Sequence, residues 1–216
     1  MTERDERTIH RLEAFSDIVM GFMVAEAGIG LVMPKDEAGL AAMWPGLNLF
    51  LLTFLLIASM WWYHHKLFVT YFVINPVSVI MNFVLLAALA LGVYFEQVAV
   101  HFMFAGLLPI VPIRLWLSCM ALVFVLLATM LSMGVWQRRT ALAPEDVKWG
   151  VNRAARSTFA ALALCVMMFA IDAGSHREPL MIAAILALIA GGALRRFIVP
   201  RITARLLALR ETPAAA

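Results

Sequence analysis

Apolar residues along the chain fall into six long runs that are separated by short polar segments. We place these runs at residues 9–33, 44–71, 77–101, 112–136, 151–171 and 179–194. The segments between them are rich in turn-forming residues, such as Asn75 and Pro76. A helix needs roughly 20 apolar residues to cross a bilayer, a length that all runs except the last one reach. The pattern therefore predicts an all-α polytopic membrane protein with six transmembrane helices.

The composition agrees with this prediction. The chain is 63% hydrophobic and 14% charged, whereas a soluble domain is about 45–50% apolar and about 25% charged. In a soluble protein, so few charges would leave large apolar patches exposed to water. We therefore expect the lipid bilayer to cover these patches. The first run contains Glu13 and Asp17 and is not followed by a small-residue cleavage site. We interpret it as a retained first span and not as a signal peptide.

The basic residues predict the orientation. If the amino terminus is cytoplasmic, 14 of the 17 lysines and arginines lie on the cytoplasmic side, and only Lys35, Arg114 and Arg177 lie outside. An odd number of spans would place one terminal basic cluster outside. We therefore expect both termini in the cytoplasm, with a transmembrane domain at residues 1–195 and a basic tail at 196–216. The tail could form a short amphipathic helix at the inner headgroups, either as an ordinary anchor or as a regulatory lipid site.

The first run carries ionisable side chains, which are costly inside a membrane. Asp17 and Glu26 are nine residues apart and so lie on opposite faces of a helix. We expect the Asp17 face, with Gly21 and Gly28, to pack within the subunit. The opposite face is occupied by Phe15, Val19, Phe22, Glu26, Ile29 and Met33. We call Phe22, Glu26 and Ile29 on this face the Phe22 stripe. The stripe faces a symmetry partner, a pore or lipid, and the carboxylate of Glu26 argues against lipid.

The second run ends in an aromatic and histidine-rich segment that contains Trp61, His64 and His65. Adjacent histidines point about 100° apart on a helix, so they cannot comfortably bind one metal ion, and we predict no metal site. One interpretation is an aromatic belt at the membrane interface. The other is that one of the histidines reaches Asp17 or Ser16 on the first helix.

Arg11-Leu12-Glu13-Ala14-Phe15-Ser16-Asp17 resembles the R-x-x-x-F-S-D signature that opens the first helix of the endolysosomal potassium channel family and its bacterial homologues, the transmembrane protein 175 family. The segment from Trp61 through His64-His65-Lys66-Leu67-Phe68 is similar to the end of that family's second helix, and Asn82 to the start of its third. The resemblance covers about the first 85 residues.

The resemblance implies a potassium channel in the bacterial plasma (inner) membrane. Bacterial subunits of the family have six helices and form homotetramers around a pore that the first helix lines. The Phe22 stripe would then form the pore constriction, with potassium or another monovalent cation as the permeant ion and no cofactor. A supporting network for the pore helix would comprise Arg11, Ser16, Asp17, Trp61, His65 and Asn82.

The chain also departs from the family pattern. The family has Leu or Ile at all three constriction positions, where this chain has Phe22 and Glu26 before Ile29. A carboxylate ring favours cations, so one alternative is a channel with altered selectivity for sodium or protons. Another alternative is a non-conducting scaffold with the same fold.

A membrane enzyme or proton-coupled transporter that uses Asp17, Glu26, His64 and His65 is disfavoured. These side chains show no nucleophile–base or metal-binding spacing. We therefore predict no enzymatic activity. Nucleic-acid binding has no support beyond ordinary cytoplasmic arginines.

Overall fold

The computed structural model describes residues 3–29, 31, 34, 36, 37, 39, 43–172 and 177–211. Its helices are α1 (Glu3–Ile29), α2 (Trp44–Lys66), a five-residue π turn (Leu67–Tyr71), α3 (Pro76–Phe104), α4 (Ile110–Arg138), α5 (Pro144–Asp172) and α6 (Arg177–Glu211). The described part of the chain contains no strand. The predicted all-α fold is therefore confirmed.

The helices extend beyond most of the apolar runs. The second run coincides with α2 and the π turn together, but α1 and α5 begin six and seven residues before their runs. These added turns are polar and include acidic residues, such as Glu3 in α1 and Glu145 in α5. Carboxylates near a helix amino terminus are stabilised by the helix dipole, which allows the helix to begin outside the apolar region.

The last helix passes through the boundary predicted at residue 195. It continues to Glu211 and contains Pro200 in its interior, although a proline there removes one backbone hydrogen bond. Val199 and Thr203 are buried on either side of the proline, so α6 packs against the rest of the subunit at this point. Most of the predicted tail is thus an extension of α6, while residues 212–216 lie outside the described residues.

Several described helices have the length and composition needed to cross a membrane. They are Trp44–Tyr71, Pro76–Phe104, Ile110–Arg138 and Pro144–Ile171. The protein is therefore a multi-pass membrane protein. The apolar part of α1 is shorter and carries Glu13, Asp17 and Glu26, so hydropathy alone does not establish α1 as a span. Six spans and cytoplasmic termini stay predictions.

Successive helices pack against one another from α3 to α6, and α1 lies against both α2 and α3. The shared core is aliphatic and includes Leu89, Val123, Leu131 and Val147, all almost fully buried. Large apolar side chains such as Leu52 and Phe169 point outward, which suits contact with lipid. The core thus joins α2–α6, and α1 contributes Met20 and Met23 to it.

The π turn after α2 is held tightly against α4 and α5. The amide of Phe72 donates to the carbonyl of Leu67 at 2.8 Å, which is the wide hydrogen bond that defines this turn. Tyr71 is fully buried and its hydroxyl donates to the carbonyl of Asp146 at 2.8 Å. A Cβ atom at Gly134 would overlap the backbone of Tyr71. Glycine at this position therefore permits the close contact between α4 and the π turn.

We expect Gly134→Ala to destabilise the protein by about 1–3 kcal/mol, because the added methyl group forces the π turn away from α4. Gly192→Ala is the matched control, since nothing lies within 4 Å of a Cβ atom there, and it should be neutral or stabilising by up to about 1 kcal/mol. Melting temperatures in detergent, followed by tryptophan fluorescence, would compare the two. Equal melting temperatures would contradict the proposed close contact.

Candidate functional site

The buried side of α1 is set by a regular helical spacing. The side chains buried on it are Ser16, Met20, Met23 and Ala27. Such residues, four, seven and eleven positions after the first, share one face of a helix. The packed face that the structure shows is therefore about one residue away from the predicted face, which carried Asp17 and its glycines.

The glycines on the Asp17 side contribute less than predicted. A Cβ atom at Gly28 would come within 3.5 Å of the Phe50 ring on α2, which is an ordinary contact. At Gly21 no atom of the described residues lies within 4 Å of such an atom. The expectation that both glycines allow close helix approach within the subunit is wrong for Gly21.

A chain of hydrogen bonds between buried side chains joins α1, α2 and α3. Asn82 Nδ2 donates to Ser16 Oγ at 3.3 Å, and the Ser16 hydroxyl donates to the carbonyl of Leu12 at 2.8 Å. His64 Nε2 lies 2.8 Å from Asn82 Oδ1. An amide oxygen only accepts, so the proton of a neutral His64 is on Nε2. We call Ser16, His64 and Asn82 the polar triad; all three are almost completely buried.

Two further contacts connect α1 to α2 alongside the polar triad. Trp61 Nε1 donates to Asp17 Oδ1 at 2.9 Å. His65 Nδ1 lies 2.9 Å from Glu13 Oε1. The Trp61 and His65 rings stack with their centroids 5.6 Å apart. Hydrogen bonds to a carboxylate are stronger than those between neutral groups, so these contacts also fix the rotation of α1.

The predicted partner of the histidines is wrong. Neither His64 nor His65 forms a hydrogen bond with Asp17 or Ser16. Asp17 accepts a hydrogen bond from Trp61 instead, and Ser16 accepts one from Asn82. The aromatic-belt interpretation does not describe His64 either, because this side chain is buried between helices.

Most of the predicted supporting residues do lie together. Those that take part in the contacts are Ser16, Asp17, Trp61, His65 and Asn82. Arg11 is exposed and takes no part in these contacts between the described helices.

Sequence reasoning left His64 out of the supporting network and gave too little weight to Glu13. His64 shares its face of α2 with the buried residues Ile57 and Met60, seven and four positions earlier. Glu13 stands four residues before Asp17, so both carboxylates face α2. The signal that could have identified both residues was therefore helical spacing: from the apolar positions of α2 for His64, and from Asp17 for Glu13.

The Phe22 stripe lies on a largely exposed side of α1 that borders α3. Phe22 is 71% exposed and Ile29 is 79% exposed. Glu26 is also exposed, and it lines a groove between α1 and α3 together with Phe22, Tyr94 and Gln97. The stripe is therefore available for contact with lipid or with another subunit.

The structure provides no protein metal centre among its described residues. No cluster of three or more histidine, cysteine, aspartate or glutamate side chains there is arranged to hold a metal ion. Cys119 and Cys165 are both free thiols.

We expect Asn82→Leu to destabilise the protein by about 2–4 kcal/mol, because it leaves both Ser16 and His64 buried with an unmade hydrogen bond. Asn48→Leu on the exposed side of α2 makes the same chemical change and should alter stability by less than about 0.5 kcal/mol. Thermal unfolding in detergent measures both. Similar losses for the two variants would contradict a specific contribution from the polar triad.

Residues 11–92 match the sequence model of one protein family, described as the endosomal/lysosomal potassium channel TMEM175. No curated protein and no solved structure matches the chain. The matched segment runs from Arg11 on α1 to the middle of α3, so it contains the polar triad, both carboxylate contacts and the Phe22 stripe. Over these residues the chain is similar to the TMEM175 potassium channel family.

Proposed function

We propose that the protein is a cation channel that conducts potassium passively through a central pore, which the α1 helix of each subunit lines in a homotetramer. The observation that carries this proposal is the position of the Phe22 stripe. It lies exposed on α1 within the segment that matches a potassium channel family. Charged side chains inside membrane proteins usually mark ion paths, and Glu26 belongs to this stripe.

The contacts of α1 explain why this face would meet a symmetry axis. Hydrogen bonds of Glu13, Ser16 and Asp17 hold α1 against α2 and α3. The side with Phe22 and Ile29 is largely exposed in the described part of the subunit, and it borders α3 only at a groove. In a closed ring of subunits the same face of each copy points to the axis. We therefore assign Phe22, Glu26 and Ile29 to the pore, and the polar triad to its support.

Other contacts support the proposed six-span arrangement, and we place the protein in a bacterial plasma membrane. Lys66 at the end of α2 lies 3.4 Å from Asp146 at the start of α5. Arg138 at the end of α4 donates to the carbonyl of Thr70 at 2.7 Å. The ends of α2 and α4 and the start of α5 thus lie together, as they do when the helices alternate in direction. These residues would face the cytoplasm, which agrees with the excess of basic side chains predicted there.

We expect Glu26→Gln to lower potassium flux several-fold or to change the ratio of potassium to sodium flux, because a ring of carboxylates attracts cations and a ring of amides does not. Flux is measured in proteoliposomes with an ionophore added at the end to show that the vesicles are intact. Glu145→Gln, an exposed carboxylate at the start of α5, is the matched control. Unchanged flux and unchanged ion ratios in Glu26→Gln would remove Glu26 from the ion path.

We also expect a cysteine at Phe22 to form disulfides between subunits on mild oxidation, since this face of α1 meets its copies. The experiment starts from a variant in which Cys119 and Cys165 are replaced by serine. Leu122→Cys provides the control, because Leu122 is exposed on α4 and away from α1. Cross-linked products on a denaturing gel with Phe22→Cys and none with Leu122→Cys are expected. Cross-linking at Leu122 alone would contradict an axis next to α1.

A second candidate function is a non-conducting scaffold, and the observation that favours it is Phe22 itself. Four exposed phenylalanine rings at an axis would form a wide apolar barrier, and hydrophobic constrictions close pores by excluding water. Purified protein that passes neither potassium, sodium nor protons in the same vesicles would favour the scaffold. Flux of sodium or protons in preference to potassium would instead indicate a channel of altered selectivity.

A further inference from the structure

A pocket lies between the first turns of α5 and the second half of α6. Its volume is about 500 Å³, which is typical of sites for small molecules. Its lining includes Lys148 and Trp149 of α5 and Arg195 and Arg196 of α6. We call it the Lys148 pocket. The packing of α5 against α6 brings Lys148 to the two arginines, so the basic side chains converge through the fold and not only through their order in the chain.

The Lys148 pocket carries an excess of positive charge. Lys148, Arg195 and Arg196 lie on its lining, and Glu145 is the one carboxylate among the described residues that border it. None of the three basic side chains forms an ion pair with another described residue. Positive charges that converge from two helices repel each other, and a bound anion removes that repulsion. Arginine binds phosphate through two parallel hydrogen bonds and lysine binds it as a point charge, so the pocket suits a phosphate group.

An exposed apolar face of α6 leads to the pocket. Ile182, Ile185 and Ile189 precede Arg196 by fourteen, eleven and seven positions, so all four lie on one face of the helix. The three isoleucines are exposed. Eleven residues of helix span about 16 Å, which is close to half of the roughly 30 Å hydrocarbon core of a bilayer. This face is therefore long enough to accommodate the acyl chain of one lipid leaflet above the pocket.

The surroundings of the two arginines distinguish a lipid from a free anion. Leu194 and Phe197, immediately before and after the arginines, are both exposed large apolar side chains. Trp149 on the opposite wall belongs to a residue type that is enriched where a membrane meets water. A site for a free anion in water needs no exposed apolar side chains around it. The Lys148 pocket therefore suits an occupant with a charged head and an apolar tail.

We propose that the Lys148 pocket binds the phosphate group of an anionic phospholipid, whose acyl chain lies along the exposed isoleucines of α6. Basic pockets between membrane helices are suited to anionic head groups. A zwitterionic lipid also has a phosphate, but its ammonium group adds a positive charge next to Lys148 and the arginines, so it binds less well. In the orientation proposed above, the lipid belongs to the cytoplasmic leaflet. The site goes beyond the proposed channel, since it requires neither a symmetry axis nor conduction.

The test compares the melting temperature of the purified protein in a neutral detergent with added dioleoylphosphatidylglycerol or with the same amount of dioleoylphosphatidylcholine. A ligand that binds only the folded state stabilises it, so wild-type protein should melt about 2–4 °C higher with the anionic lipid. In the double variant Arg195→Gln/Arg196→Gln this difference should disappear, because the amides carry no charge. Equal melting of wild type in the two lipids would overturn the proposal.

A matched double variant separates the pocket from a general attraction between basic helices and anionic lipid. Arg201→Gln/Arg205→Gln removes two exposed arginines from the same helix, and neither of them lines the Lys148 pocket. This variant should keep the difference between the two lipids. An equal loss in both double variants would indicate attraction to the surface as a whole and would reject the site.

Inorganic phosphate tests whether a free anion is the occupant. With phosphatidylcholine present, exchanging sodium chloride for sodium phosphate at equal ionic strength should not raise the melting temperature of wild type. A rise as large as that with phosphatidylglycerol would assign the pocket to free phosphate and reject the lipid.

Native mass spectrometry provides a second readout that does not depend on unfolding. The number of phosphatidylglycerol molecules retained per subunit should fall by one in Arg195→Gln/Arg196→Gln and stay unchanged in Arg201→Gln/Arg205→Gln. If the pocket double variant does not fold, the exposed Lys148 decides: Lys148→Gln should reduce the difference between the lipids, and an unchanged difference rejects the site. None of these measurements uses ion flux, so a failure of the channel proposal would leave them readable.

Discussion

The polar triad fixes the rotation of α1, and the rest of the candidate site depends on that rotation. Ser16, Asn82 and His64 come from three different helices and meet through two hydrogen bonds. Water does not compete for these groups, since all three are buried. Turning α1 by one residue, or about 100°, would break the bond at Ser16 and bury Phe22 instead. The exposure of the Phe22 stripe is therefore a consequence of hydrogen bonding on the opposite side of the same helix.

Two kinds of packing hold the subunit together. Between α3 and α6 the helices share an extensive apolar core, with glycine at the closest approach to Tyr71. The attachment of α1 is less extensive and relies on bonds to polar side chains, such as the contact of Trp61 with Asp17. Apolar packing between helices is tolerant of small shifts, whereas a hydrogen bond specifies one partner and one distance. The helix proposed to line the pore is thus attached by the more geometrically specific of the two kinds of contact.

The sequence predicted the helices well because hydropathy and helix length are both set by the membrane. It predicted the run 44–71 to the residue, whereas the last predicted run ends at Leu194 and α6 continues through the arginines that follow it to Glu211. The pairing of side chains was harder to predict. Which histidine meets which partner depends on the rotation of α2 about its axis, and His64 and His65 differ by only one position. That rotation is set by packing on all sides of α2, including contacts with α3, which hydropathy does not describe.

The π turn at the end of α2 gives this helix a mechanical role. Through Tyr71 and Lys66 the turn region is tied to Asp146 at the start of α5, while His65, the residue before Lys66, contacts Glu13 of α1. The two connections leave α2 from neighbouring positions on a short rigid segment. The start of α5 and the base of α1 are therefore connected through only a few residues of α2 and its π turn. The first helix is thus joined to the second half of the chain by side-chain contacts at one end of α2.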